Sequence, residues 1–319
     1  MEIINSGEIS QKLNSQELKK YRISIFIWQL TLTATMFLGI QNFGPFISDL
    51  WNTKFAYYLL ATMWLSRLFA TSVVTKWVNH RLTIEQSLKL SALGYLLFYV
   101  FFYASILTHN PLFIWGSVTI ASILTDLAGV SRNEAYAYVG YDSNYINLFF
   151  YTGLLFGVFV SFMISFPYSI IASMILAIIP LFFRYPSITP HEHIERNGGS
   201  KPLYYLLIIV FVSALATYAQ KISLIGTKEY TYLIIATLIV FVVQLIIMKW
   251  PRMWHLYTII WIAITAYILI TRQPNLIIFY LLDTVTGAIV VHLQSWGKWK
   301  GILNAWSVRS LISFLFWLL

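Results

Sequence analysis

A chain of 319 residues that is 59% hydrophobic, 18% aromatic and only 10% charged has too few charges to cover a water-soluble fold, in which roughly a quarter of residues are charged. Its 21 Lys and Arg against 12 Asp and Glu give a net charge of +9, but the basic residues stand between apolar runs. That spacing argues against a nucleic-acid surface and for the positive-inside marking of a membrane chain, and the absence of cysteine excludes disulfides, thiolate metal sites and a cysteine nucleophile.

Residues 1–22, MEIINSGEISQKLNSQELKKYR, are polar and end in a basic cluster. No small-residue cleavage motif follows, so this is expected to be a cytoplasmic N-terminal segment ahead of a retained first span. From there, apolar windows of about 20 residues, punctuated by Pro, Gly, Asn and charge, mark the spans. Eleven helices are predicted, at approximately 23–43, 55–75, 86–107, 111–130, 145–165, 167–184, 202–219, 230–248, 253–271, 276–295 and 301–319. The runs are continuously apolar and do not alternate, which favours helices over a barrel. Segments on the inner side then hold 14 Lys and Arg, and those on the outer side hold 4, namely Lys54, Lys221, Lys228 and Arg272. This asymmetry predicts the N-terminus inside and the C-terminus outside. One segment, RYPSITPHEHIERNGGSK from Arg184 to Lys201, has two prolines, a Gly-Gly pair and mixed charges, and reads as the linker of the chain. The expected fold is an all-α polytopic membrane protein with a six-helix bundle over 23–184, a cytoplasmic linker over 185–201 and a five-helix bundle over 202–319.

Polar groups inside apolar runs are costly and mark candidate sites. Arg67, in MWLSRLFATS, is expected roughly 20 Å below the outer boundary at the helical rise per residue. There it can contact an anionic or amphiphilic substrate or form a structural bridge. Asp283 in FYLLDTVTG and Arg309 in AWSVRSLIS differ in depth by about 6 Å across their hairpin, so they are expected to pair, either as a static bridge or as a gate whose carboxylate titrates. Asp126, Arg132, Glu134 and Asp142 are candidates for an inner charge network. Lys89 and His292 fall near the inner boundary. Gln41 and Asn42 beside the Gly-Pro of LGIQNFGPF, and Gln244 in FVVQLIIM, could line a polar cavity or make helix–helix hydrogen bonds. The tyrosines of EAYAYVGYDSNY suggest an aromatic belt at the inner boundary. His191, His193 and Glu195 lack the His-Glu-x-x-His spacing of a metal helix. No phosphate loop, dinucleotide fingerprint or nucleophile elbow is present in the sequence.

Six inside-starting helices, a polar cytoplasmic linker and a second bundle resemble the major facilitator superfamily of transporters. The loop TSVVTKWVNHRLTIEQ, with Lys76 and Arg81, stands where that family has a basic loop between its second and third helices. The segments TDLAGVSRNEAYAYVGYDSN and YTGLLFGVF are similar to its inner loop and glycine-bearing fifth helix. In the latter, Gly153 and Gly157 form a small-xxx-small pair suited to close helix approach. The resemblance implies a secondary transporter working by alternating access about the linker. Substrate or coupling residues would be Arg67, Asp283, Arg309, Gln41, Asn42 and Gln244. The many aromatic and aliphatic residues favour an amphiphilic or anionic cargo, exported or flipped, over a sugar. No cofactor, metal or nucleic acid is expected; the partners are the bilayer, a small amphiphilic or anionic substrate and a membrane protein at the C-terminal bundle. The alternatives are a non-transporting membrane subunit, such as an accessory or immunity protein, and an intramembrane lipid-modifying enzyme. The expected location is a bacterial plasma membrane.

Overall fold

The computed structural model describes residues 15–74, 81–141, 143–164, 168–189, 202–223, 254–272 and 305–319, with isolated helical positions between 238 and 289. Among the described residues the fold is all-α, without strands. The helices are α1 (Ser15–Leu50), α2 (Thr53–Phe69), α3 (Ile84–Thr108), α4 (Pro111–Tyr138), α5 (Ser143–Met163), α6 (Tyr168–Ile178), α7 (Pro202–Ser223), α8 (Trp254–Thr271) and α9 (Ala305–Leu318). A π-helical turn, Ala70–Val74, continues α2, and a 3-10 turn, Ile179–Phe182, continues α6. Described helices thus cover nine of the predicted spans. The other two, 230–248 and 276–295, lie largely outside the described residues, although Leu238, Val242, Leu245, Leu282, Val285, Thr286 and Ile289 are helical. Gly44-Pro45, just past the predicted end of the first span, does not end the helix, which continues to Leu50.

Two compact units form, one from residues 1–39 with 73–192, the other from 40–72 with 193–319. In the first, Ile25, Trp28 and Leu32 of α1 pack with Ile84, Leu88 and Ala92 of α3, Ala135 and Tyr136 of α4, and Phe149 of α5. Contacts at two levels fix the helix directions. The Trp28 indole N–H donates to the Leu88 carbonyl at 3.0 Å, and the Tyr99 hydroxyl donates to the Thr35 carbonyl, so α1 and α3 run parallel. Phe26 meets Phe149 edge-on at 4.8 Å and Gly153 sits against Leu30 and Thr33, so α5 runs the same way. Arg22 donates to the Val139 carbonyl at 3.0 Å and Tyr136 reaches Gln29, so α4 runs opposite. The tyrosine-rich segment expected as a belt forms a packed cluster of rings. Tyr136 is buried, Tyr141 carries the Arg22 guanidinium over its ring at 5.4 Å, and Tyr145 is exposed.

The reversal from α3 to α4 is written locally. His109 takes the left-handed conformation at φ 53, ending α3, and the Asn110 side chain accepts the Leu112 N–H at 2.9 Å. Pro111 then opens α4 at a position where no N–H is needed.

At its other end α3 is capped twice. Thr83 and Gln86 form a capping box, which satisfies two of the orphan donors of the first turn. The Ile84 and Glu85 N–H groups donate to the carbonyls of Ile188 and Pro186, at 2.8 and 3.2 Å. The opening of the expected linker, Arg184 to Thr189, is therefore docked as a strap across the start of α3. Tyr185 anchors it: its ring is buried and its hydroxyl donates to the Pro180 carbonyl at 2.8 Å. Burial, with the charge of Glu85 added, pushes this hydroxyl above its ordinary value, so it stays a donor at neutral pH. Tyr185→Phe is expected to cost about 1 kcal/mol, one net hydrogen bond, and Tyr185→Ala at least about 3 kcal/mol. Amide exchange should rise at Ile84 and Glu85 first. Unchanged protection there in the alanine variant would mean that the strap does not depend on Tyr185.

In the second unit α9 is the central element. Tyr57 stacks obliquely with Trp317 at 5.5 Å and Thr71 meets Ser307 at 3.2 Å, so α2 and α9 run antiparallel. Val308 packs with Ile209 and Ser313 meets Thr217 at 3.1 Å, so α7 and α9 run parallel. On the far side of α7, Tyr257, Trp261 and Ile268 of α8 form a core with Val212, Ala216, Leu282 and Val285. The Trp261 indole donates to Thr286 at 3.0 Å.

The exterior carries many large apolar side chains. Among the described residues, all but two of the buried polar ones are Ser or Thr, while Leu112, Met163, Phe182 and Ile270 are more than 70% exposed. Many of the buried hydroxyls donate to carbonyls four residues back, as Thr31 does to Ile27 at 2.7 Å and Thr217 to Ser213 at 2.8 Å. They need neither water nor a cross-helix partner. Among the described residues, α3 is the one helix both long and apolar enough to cross a membrane.

Candidate functional site

The second unit brings together two of the cations that the sequence singles out. Trp64 is 7% exposed and lies in a cluster with Ala61 and Trp317, flanked by Tyr57, Leu60, Met63 and Phe314. Arg67, three residues on, shares its face of α2 because i and i+3 are neighbours on a helix. Its guanidinium carbon lies over the Trp64 ring, 5.2 Å from the centroid. From α9, Arg309 brings a second guanidinium to 5.5 Å from the same centroid, and Arg309 itself is only 5% exposed. The two guanidinium carbons therefore lie within about 11 Å of each other, both in reach of one π-face system. Both arginines make further interactions beyond the indole.

The backbone beneath Arg67 is unusual. Regular α-helix ends at Phe69 and the π turn Ala70–Val74 follows at once; such turns insert an extra residue and frequently occur at functional sites. Within it, Thr71 donates back to the Arg67 carbonyl at 2.9 Å. Thr71 and Ser72 both reach the Ser307 hydroxyl, at 3.2 and 3.3 Å. Ser307 is two residues before Arg309, so these bonds also hold the part of α9 that carries the second arginine.

The remaining predicted residues are distributed elsewhere. Asp283 and Gln244 lie outside the described residues, as do Asp142, His191, His193, Glu195 and His292, so the Asp283–Arg309 pairing falls outside what is described. Gln41 and Asn42 are on α1 and Glu134 on α4, with their side chains outside the described set. Asp126 and Arg132, also on α4, are six residues apart, about 240° around the helix, and so do not share a face. Arg132 instead lies beside Tyr136, and its Nε is buried without a hydrogen-bond partner among the described residues. Lys89 pairs with Glu85 at 2.6 Å, one turn away on α3 and partly exposed, a contact of small energetic weight.

Sequence reasoning missed a buried polar group in the first unit. The Gln29 amide donates to Thr33 at 2.9 Å and accepts the Tyr136 hydroxyl at 3.5 Å. The signal available was the row of Gln29, Thr31, Thr33 and Thr35 in an apolar run. It also missed Trp64, although its spacing to Arg67 was readable. Compared with protein-family models and with curated proteins, the chain matches none.

Proposed function

We propose that this protein is an integral membrane secondary transporter of the major facilitator type, in a plasma membrane, that exports or flips an amphiphilic or anionic small molecule. The observation that carries the membrane reading is the apolar exterior: large aliphatic and aromatic residues stand outside, while buried hydroxyls such as those of Thr31 and Thr217 bond within their own helices. Outward faces of this kind are stable against hydrocarbon and costly against water. Neighbouring helices also alternate in direction with their order in the chain, as successive crossings require. The reading keeps the N-terminus inside, while α2 groups with the helices after residue 193 and not with the first predicted bundle.

Arg67 and Arg309 on Trp64 are the residues assigned to the anionic end of the cargo. Guanidinium groups recognise carboxylate and phosphate oxygens through paired N–H donors. The indole supplies an apolar face beside them for the rest of an amphiphile. Asp283 remains the proposed titrating carboxylate.

The test is thermal unfolding of the purified protein with panels of long-chain carboxylates, alkyl phosphates and anionic metabolites, run beside Arg67→Gln. A ligand at 100 times its dissociation constant stabilises by about 2.7 kcal/mol. At least one long-chain anion is expected to raise the midpoint of the wild type and leave Arg67→Gln unmoved. Stabilisation of neither, with a stoichiometric membrane partner co-purifying, would replace this reading with the accessory-subunit one.

A further inference from the structure

The first unit carries its cations at one end. α1 and α3 start there and α4 ends there, because α1 and α3 run parallel and α4 opposite. The strap joins them through its bonds to Ile84 and Glu85, and both Arg184 and Glu85 lie within electrostatic reach of Tyr21. Among the described residues, Lys19, Lys20, Arg22, Arg81, Lys89 and Arg184 stand at this end with Glu17 and Glu85, six cations to two carboxylates. No Lys or Arg lies between Lys89 and Arg132, so the turn from α3 to α4 at the opposite end has neither, and exposes Leu107 and Leu112 instead.

Cation and hydrocarbon follow one another in a fixed order on the outward faces of this end. On α1, Lys20 is exposed and Ile23, three residues on and on the same face, is 47% exposed. On α3, Lys89 is partly exposed and Leu93, one turn on, is again outward. After α6, Phe182 is 81% exposed and Arg184, two residues later, is exposed as well. Three separate elements therefore pass from hydrocarbon to positive charge within about 7 Å. Tyr145, exposed at the start of α5 and held against Tyr141 at 4.8 Å, adds a ring of the kind that sits at a headgroup boundary. A soluble anion is served by the cations alone. An anionic phospholipid, with its phosphate above its acyl chains, matches both parts in their order.

We propose that this rim binds the headgroups of anionic phospholipids, with Lys20, Lys89 and Arg184 toward phosphate and Ile23, Leu93 and Phe182 toward acyl chain. Basic residues flanking membrane helices are attracted to anionic leaflets, and the arginine adds paired N–H donors for phosphate oxygens. The inference rests on the membrane reading and names the lipid that the first unit selects. Arg184 also opens the strap, so a headgroup held there bears on the segment that caps α3.

The full chain is reconstituted in phosphatidylcholine bilayers containing a trace of spin-labelled phosphatidylglycerol or spin-labelled phosphatidylcholine. Electron paramagnetic resonance then reads the fraction of each label immobilised at the protein. Phosphatidylglycerol is expected to be favoured at least about threefold at low salt, and less at about 1 M salt, where the screening length is short. Lys20→Gln combined with Arg184→Gln is expected to remove most of the preference, and Lys20→Arg with Arg184→Lys to keep it. Lys89 is left in place because its removal would strand Glu85. Arg272→Gln, in the second unit, is the control and should change nothing. Equal immobilisation of the two labels overturns the proposal, as does a preference that survives the glutamine substitutions. If that variant does not incorporate, the wild type decides, and a preference indifferent to salt overturns it. Loss of the preference on adding inorganic phosphate at constant ionic strength would assign the cations to a soluble anion, which also overturns it. Immobilisation of neither label would mean that the chain does not meet lipid, the failure of the membrane reading itself.

Discussion

Trp64→Ala is expected to be the most damaging single substitution in the second unit, lowering unfolding stability by roughly 3–5 kcal/mol, the usual range for emptying a buried tryptophan site. The ring is buried against Trp317 and Ala61, so its removal leaves a cavity that neighbouring helices would have to close. It also strips two guanidinium groups of the face they share. A cation over an indole contributes about 0.5–2 kcal/mol, the upper end applying where the cation is desolvated, as Arg309 is. Trp64→Phe should fall between, since it keeps a ring of smaller area and weaker quadrupole. A double-mutant cycle of Trp64→Phe with Arg309→Gln, read by denaturant unfolding in mild detergent, isolates the pair. A coupling of about 0.5 kcal/mol or more is expected; equal costs of Arg309→Gln in both backgrounds would remove the indole from the account.

The second large effect is expected at Gly153. A β-carbon placed there would lie 2.6 Å from the Leu30 carbonyl oxygen and 2.8 Å from the Thr33 β-carbon. The oxygen belongs to helix backbone and has no rotamer by which to retreat, so α1 and α5 must separate. Gly153→Ala is expected to destabilise by about 1–3 kcal/mol, and Gly153→Leu by more, through overpacking. Gly116→Ala is the internal control. Nothing lies within 4 Å of a β-carbon at Gly116, and alanine gains up to about 1 kcal/mol of helix propensity. Melting curves of the three variants decide it: equal behaviour at the two glycines would contradict the close approach of α1 and α5.

Helix positions were legible in the sequence because they depend on local features. Asn110-Pro111 opens α4, Thr83 and Gln86 cap α3, and long apolar runs set the rest. Gly153 was legible as a small residue but not as a contact, since its meaning depends on a carbonyl more than 100 residues away. The docking of Arg184 to Thr189 as a strap was not legible in the segment read as the linker. Two prolines and polar residues signal irregular backbone, and irregular backbone can as readily cap another helix as connect two bundles. The site was half legible. Arg67 was conspicuous by its charge, whereas Arg309's arrival over Trp64 depends on the register of α9 against α2. Thr71, Ser72 and Ser307 meet in that contact through side chains too ordinary to attract notice.

The apolar exterior of the helices and the hydroxyls bonded within them also bear on how such a sequence can change over generations. Interior hydroxyls that bond within their own helix can be exchanged for alanine, and alanine for serine, at little energetic penalty. On the proposed membrane reading, outward positions ask only for apolarity, so leucine, isoleucine, valine and phenylalanine are interchangeable there. Most of the chain is therefore free to drift while its architecture persists. The restraint falls on few positions, among them Gly153, Gly94 against Leu124, and the Trp64, Arg67 and Arg309 group. Relatives are expected to be recognisable by that sparse set before they are recognisable by overall identity.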